Sequence, residues 1–412
     1  MADSNEKKSS ELEQSTCEKG GLEHVQMQAP FSADAEKKLI RKIDLMLLPI
    51  MLFAYMLAFL DKQALSYTTL MGLREDLGLA GSQYSWSSSI FYFGYLFFSP
   101  IASMLLVKFP LGKYLAVNFI IWSVILACHA ATTNFTGIMV VRFFLGCTEA
   151  SISPGFSLIT SLWYRASEQP LRHGVWFCGN SLSLIFGNLI AVGISRIDSA
   201  VKPWQWLFII FGLITFLWGF VLLFWLPDSP ANAPFLTEEE REIALYRLKS
   251  NKAGYKSNKI NPGQIMEALI DPKTYMLGLY ILASNIPNGG FNTFNNIILQ
   301  GFGFSTFNTL LLGIPAGAIV LILVLSSVGG TALVYATSAT ASRYIGLILM
   351  AAYSASLPII MAMISSNIGG FTKRSMVNAI FFVMYCVGNI IGPQLFFEHE
   401  APRYQEGRAD GG

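Results

Sequence analysis

Seven stretches of this chain carry no Asp, Glu, Lys or Arg: Leu77 to Val107, Tyr114 to Val141, Gly174 to Ser195, Pro203 to Pro227, Thr274 to Ser342, Tyr344 to Thr372 and Ser375 to Phe397. Each is long enough for at least one helix of roughly 20 residues, the length that crosses about 30 Å of hydrocarbon. A typical soluble chain is about 25% charged; this one is 13% charged and 53% hydrophobic, with a mean hydropathy of +0.48. In lipid each backbone polar group must be satisfied within its own segment, so such runs are read as helices. The expected fold class is an all-α polytopic membrane protein whose main partner is the lipid bilayer. The same composition excludes a soluble enzyme, a secreted disulfide scaffold and a disordered protein, and a net charge of +2 gives no case for nucleic acid.

Cysteine and histidine usage adds no metal or redox site. Of five cysteines, Cys128, Cys147, Cys178 and Cys386 sit in apolar runs without a CxxC pair, and His24, His129, His173 and His399 are scattered, so no ligand spacing for a metal exists. There is no GxxxxGK[ST] loop to cradle ATP and no nucleophile with a base beside it. The reading is therefore no catalytic residues, no metal and no cofactor. Transport by such a chain draws on ion gradients or runs downhill.

Along the chain, residues 1–44 read as a polar cytoplasmic tail. Six helices follow, near Leu45–Tyr67, Tyr84–Val107, Tyr114–Ala131, Ile138–Leu162, Gly174–Ser195 and Trp204–Leu226, making an N-terminal bundle over 45–227. The segment 228–272 is the one long polar interior stretch. Within it Thr237-Glu238-Glu239-Glu240 has the form of a capping box and predicts a short solvated helix over about 238–250, with Ile243, Leu245 and Leu248 available for an apolar surface. The second half, 273–397, offers Tyr275–Leu299, Thr309–Val328, Tyr344–Ile364 and Ser375–Phe397, and 398–412 reads as a polar tail. Between Gly329 and Ser342 lie 14 apolar residues, too few to span the hydrocarbon. The expectation is ten full spans plus a stub, with the second bundle incomplete.

Positive charge orients the spans. With the tail inside, the inner connections hold Lys108, Lys113, Arg165, Arg172, Arg241, Arg247, Lys249, Lys252, Lys256, Lys259 and Lys273, and the outer ones only Arg74, Arg196 and Lys202. Lys373 and Arg374 break the pattern. They too belong inside, yet ten spans place them outside, so one crossing is missing near the stub.

Ionisable groups within spans cost about 2.5–3.5 kcal/mol each at a helix centre on insertion scales, so they face partners or wet cavities. Asp61 and Lys62 lie in the first span, and their adjacency, about 100° apart, points them to different partners. Arg142, Gly146 and Glu149 are spaced i, i+4, i+7 on one face of the fourth, a face that suits a carboxylate gaining and losing a proton beside a cation. The blander alternative has Arg142 anchoring at the membrane surface and Glu149 serving as a structural hydrogen-bond partner. Gly179, Ser183, Gly187, Ala191 and Ser195 form a small-residue stripe, and Gly388 and Gly392 repeat it; both read as helix-packing faces. Asn180 and Asn188 run beside the first stripe and either bind substrate or staple helices. In the seventh span, Pro287, Gly289 and Gly290 sit among Asn285, Asn288, Asn292, Asn295 and Asn296. This predicts a weakened helix lining a substrate path, with Asn288 and Asn292 as candidates and Asn389 of the last span as a weaker one.

Several stretches resemble a known family: FLDKQALSY at 59–67, YSWSSSIFYFGYLFFSP at 84–100, KFPLGKYL at 108–115, VRFFLGCTEASISPGFS at 141–157, LPDSPANAPFLTEEER at 226–241, IPNGG at 286–290, GNIIGPQLF at 388–396 and APRY at 401–404. Together they are similar to the major facilitator superfamily, and within it to the fungal anion:cation symporters, the allantoate permease group. The superfamily's fourth-helix pattern falls on Arg142 and Gly146, and its loop motif is reduced to Lys108-Phe-Pro-Leu-Gly112-Lys113. The resemblance implies two helical bundles working by alternating access. It also implies proton-coupled symport of a small organic anion, such as allantoate, a ureide or a vitamin acid, by a monomer in the plasma membrane. It places Asp61, Arg142 and Glu149 near the coupling path, with Lys62 beside them. The family pattern would have a full ninth helix where this chain has Val328 to Tyr335, and a twelfth after Tyr404; both stand as expected departures. The competing expectation is a non-transporting membrane protein, either the product of an altered gene or a ligand sensor.

Overall fold

The computed structural model describes residues 31–248, 261–336 and 360–395, with 302, 362, 365 and 366 excepted. All regular structure among the described residues is helical. Among the described residues, eight helical segments are long and apolar enough to cross a bilayer, and the protein is a multi-pass membrane protein. Residues up to Ile40 form one unit and Arg41 onward another; the described part of the first is the opening of helix α1, Ala33–Thr69.

That helix begins inside the segment read as a tail. Ser32 Oγ accepts the Ala35 N–H at 3.2 Å, and Asp34 and Glu36 occupy the first turn, where carboxylates complement the helix dipole. At 37 residues and 1.5 Å per residue, α1 is far longer than a span needs. After the short α2, Leu73–Asp76, come α3, Gln83–Lys108, and α4, Leu111–Cys128, the latter extended by a 3₁₀ turn, His129–Ala131. The fourth span is two helices, α5, Phe135–Glu149, and α6, Ile152–Trp163. Pro154 explains the break, because its ring opposes the carbonyl of Ala150 four residues back and it has no N–H to give. Asn134 caps α5, its Oδ1 accepting the Gly137 N–H at 2.8 Å. The fifth span is likewise α7, Gln169–Phe177, and α8, Gly179–Ile194, followed by α9, Pro203–Trp225.

The polar middle holds two helices, α10, Glu238–Leu248, and α11, Pro262–Ile270. Both bonds of the capping box are present: Glu240 N–H to Thr237 Oγ1 at 3.3 Å and Thr237 N–H to Glu240 Oε2 at 2.9 Å. The helix is packed rather than solvated, with Ile243, Ala244 and Arg247 buried. Arg247 Nη2 reaches Glu168 at 2.6 Å and Lys42 Nζ reaches Glu240 at 2.6 Å, so α10 is tied to the underside of the first bundle.

The second half contains α12, Pro272–Gly301, α13, Thr306–Ala336, and α14, Phe371–Gln394. Contrary to the expected weak point, α12 is unbroken through Pro287, Gly289 and Gly290. Within it Asn285 Nδ2 donates to Ile281 O at 2.8 Å and Thr293 Oγ1 to Gly289 O at 2.8 Å. The glycines serve contact instead, since a Cβ on Gly289 would stand 2.8 Å from Asn389 Cα. Likewise α13 continues through Gly329 and Gly330 to Ala336 rather than ending at Val328. Most of the expected Tyr344–Ile364 helix, residues 337–359 and the tail 396–412 lie outside the described residues.

The main helix pairings between the halves, among the described residues, are α3 along α14 and α7 and α8 along α13. The second pair fixes direction. Thr306 Oγ1 donates to Leu70 O at 3.4 Å at one face, while Val324 packs on Cys178 and Leu171 toward the other. The start of α14 lies at that other face, because Ser375 meets Ser103 at the Lys108 end of α3 at 2.7 Å. Lys373 pairs there with Glu267 at 2.6 Å and Asp271 at 3.4 Å. Lys373 thus joins the basic face of Arg172 and Arg247. The end of α13 points to that same face.

Candidate functional site

Where α1, α3 and α5 meet α12 and α14, a narrow cavity is lined by Phe59, Lys62, Gln63, Tyr84, Ser88, Phe91, Tyr92, Arg142, Asn292, Thr293 and Tyr385, among others. Its volume is about 20 Å³, roughly one water and less than an organic acid needs. The space between the halves is thus too narrow for such a ligand.

Of the four charged candidates, Lys62 and Arg142 line the cavity, and Asp61 and Glu149 lie close by outside its lining, in two separate arrangements. Lys62 forms an ion pair with Glu149, whose side chain is 2% exposed, leaving Glu149 Oε2 without a hydrogen-bond partner among the described residues. Asp61 turns the other way and accepts the indole N–H of Trp122; its Oδ1 is likewise buried and unpartnered. Arg142 is 2% exposed. Its Nε donates to Ser87 O at 3.1 Å and its guanidinium lies 5.2 Å from the Phe91 ring centre, while Nη1 has no partner. Two basic and two acidic side chains thus share a largely buried space. Each arrangement thus keeps at least one buried polar atom without a hydrogen-bond partner among the described residues.

Gly146, on the same face as Arg142 and Glu149, lies against the backbone of Phe91 in α3, with no room for a Cβ; Gly94 of α3 does the same against Phe143. This close approach brings Ser87 O within reach of Arg142.

The asparagines divide. Asn288, Asn292 and Asn389 form one connected set: Asn292 Nδ2 donates to Asn288 Oδ1 at 3.1 Å, and Asn288 Nδ2 to Asn389 Oδ1 at 3.3 Å. Only Asn292 of the three lines the cavity. Asn188 lies elsewhere, donating to Tyr67 Oη at 3.4 Å and Leu184 O at 2.6 Å, with Gly313 of α13 against it. Asn180 is outside the cavity lining, its Oδ1 buried without a partner. A Cβ on Gly179 would stand 2.6 Å from Leu52 O and one on Gly187 2.9 Å from Tyr67 Oη, both in α1. One on Gly388 would stand 2.7 Å from Leu282 O, and one on Gly392 would overlap Ile286 O, both in α12.

Sequence reasoning missed Trp122, Gln63, Tyr92, Tyr385 and the pair Ser88–Thr293, whose hydroxyls meet at 2.9 Å across the halves. For Trp122 a signal existed, an indole N–H deep in an apolar run that needs an acceptor. The others carry no spacing signature, being set by the docking of the two halves.

The model of the Major Facilitator Superfamily matches residues 51–334. The chain belongs to the major facilitator superfamily. An uncharacterised transporter of Schizosaccharomyces pombe is 38% identical, covering 90% of this chain and 77% of that protein. The allantoate permease of Saccharomyces cerevisiae is 36% identical, over 90% and 75%. A thiamine pathway transporter of the same yeast is 33% identical, over 90% and 76%. Among solved structures, a proton:xylose symporter of the superfamily matches with a TM-score of 0.60 at 16% identity, covering 85% of this chain and 87% of that one. As a major facilitator, the protein is a secondary transporter.

Proposed function

We propose that this major facilitator carries a small organic carboxylate, of the kind represented by allantoate, a related ureide or a vitamin acid, together with a proton across the plasma membrane, as a monomer. The observation that carries the reading is the largely buried set Asp61, Lys62, Arg142 and Glu149, of which Lys62 and Arg142 line the interhalf cavity, with Arg142 Nη1 and Glu149 Oε2 unpartnered among the described residues. Resemblance to an allantoate permease supports the substrate class.

The coupling follows from charge. A carboxylate entering alone would make the closed site −1, and an uncompensated buried charge costs several kcal/mol. A proton arriving with it restores neutrality. Glu149 is the acceptor of that proton: once neutral, it releases Lys62, and Lys62 and Arg142 then offer the ligand two cationic donors. The reading has Asp61, held by Trp122, charged throughout, which keeps the total at zero. Loaded and empty sites alike are neutral, so both reorient, whereas the anion-only form does not.

The test is uptake of labelled allantoate and related acids by cells displaying this chain at the surface, with and without a proton uncoupler, beside Arg142→Gln. Uncoupler-sensitive uptake lost in the variant is expected. Correct surface delivery with no uptake of any acid would replace the reading with that of a non-transporting membrane protein.

A further inference from the structure

The second half reaches the cavity through a ladder of carboxamides whose polarity is fixed. Asn285 Nδ2 donates to the backbone carbonyl of Ile281 at 2.8 Å and Asn389 Nδ2 to that of Tyr385 at 2.9 Å. A carbonyl only accepts, so these two anchors settle which end of each amide is nitrogen, an assignment that otherwise has to be inferred from the network. Asn285 Oδ1 must then accept, and it does, from Asn389 Nδ2 at 3.1 Å and Asn288 Nδ2 at 3.3 Å. Asn288 Oδ1 in turn accepts from Asn292 Nδ2 at 3.1 Å. The last rung presents Asn292 Oδ1, an acceptor, to the first half, where Gln63 Nε2 donates to it at 3.2 Å.

The Gln63–Asn292 bond is thus the place where the ladder crosses between the halves, on the wall of the cavity that holds Lys62 and Arg142. Opening the halves to admit a ligand separates the two side chains. It leaves an N–H of Gln63 seeking an acceptor and the Oδ1 of Asn292 seeking a donor. A carboxylate or ketone satisfies Gln63 and leaves Asn292 unpaired. A carboxamide or ureido group satisfies both at once, since it carries an N–H and a C=O side by side. A site built around a polar group rejects analogues that lack the matching partner far more strongly than an apolar pocket rejects a missing methylene.

We propose that Gln63 and Asn292 are specificity-determining residues that select carboxylates bearing an amide or ureido N–H, by replacing their mutual hydrogen bond with one bond each to the ligand. This rests on the carboxylate-transport reading above and narrows it. The matched probes are radiolabelled succinamate and levulinate, monoanions of similar size in which an amide NH₂ is exchanged for a methyl group. Uptake of each is measured in cells displaying the unaltered chain and the near-isosteric variants Gln63→Leu and Asn292→Leu. The expected result is that succinamate is taken up with a kcat/KM on the order of tenfold or more above levulinate, and that the ratio falls toward one in Asn292→Leu. The comparison within the unaltered chain stands even if a variant fails to reach the surface. Equal uptake of the two probes would overturn the inference and leave carboxylate transport intact; absence of uptake for both, together with allantoate and its relatives, would remove the reading on which it rests.

Discussion

Replacing Glu149 with Gln removes one negative charge from the closed site and leaves its shape nearly unchanged. Glu149 is the partner of Lys62, whose side chain is 15% exposed, and is itself 2% exposed. Breaking a buried pair from one side costs about 3–5 kcal/mol, because the remaining charge has no counterpart. The empty site of Glu149→Gln is +1 rather than neutral, and a carboxylate entering it supplies the missing charge. A hydrogen bond to a charged group contributes about 1.5–3 kcal/mol, so the variant should bind the anion roughly 10–100-fold more tightly. It should also have lost its proton requirement. In proteoliposomes loaded with allantoate, the variant is expected to exchange internal for external labelled anion at a rate independent of pH, and to fail to accumulate it under an inward proton gradient. The unaltered protein is expected instead to exchange at a pH-dependent rate and to accumulate the anion under that gradient. Proton-driven accumulation by Glu149→Gln, or weaker anion binding than the parent, would refute the assignment of the proton to this carboxylate.

Trp122→Phe deletes the donor to Asp61 and keeps the aromatic packing; it should cost about 1–3 kcal/mol and lower uptake, read as kcat/KM in cells at matched surface level. Gly146→Ala forces a Cβ onto the Phe91 carbonyl and should destabilise by about 1–3 kcal/mol, lowering the Tm in detergent, whereas Gly193→Ala, with nothing within 4 Å, should leave it unchanged or slightly raised. Asp76 offers a pH test: burial pushes its carboxyl up, but hydrogen bonds from Lys202 and Trp204 outweigh this and hold it below the ordinary carboxylate range. Its stabilisation is therefore present above about pH 4, the unfolded value, and lost as the pH falls through the lower folded one. The Tm difference between the parent and Asp76→Asn should shrink on acidification over that window, and a difference constant in pH would sink the attribution.

Membrane class, the helices of the first half and the four charged candidates were legible in the sequence because each depends on local facts: uncharged runs, and the high cost of charge in lipid. What lay between helices was not. Asp61 and Lys62 could be seen to need different partners, but Trp122 and Glu149 are distant in sequence and are chosen by packing. Pro287 and its neighbouring glycines read as a weak point because local propensity says so, and packing of Gly289 against Asn389 overrides it. The helix α11 went unseen inside a polar loop, although Asn261 caps it and Pro262 opens it. Most telling is Lys373, whose charge argued for the basic face against the count of spans. Its ion pairs with Glu267 and Asp271 agree with the charge, so positive charge was the better guide than hydropathy there.

The central claim is that anion and proton move together through a site that must stay neutral. Its most direct test is simultaneous recording of labelled allantoate uptake and internal pH in proteoliposomes containing only this chain, with the membrane potential set independently by potassium and valinomycin. The account predicts one proton entering with each monocarboxylate, and uptake that follows the pH gradient while ignoring the potential. Uptake without acidification of the interior, or uptake driven by potential alone, would contradict it.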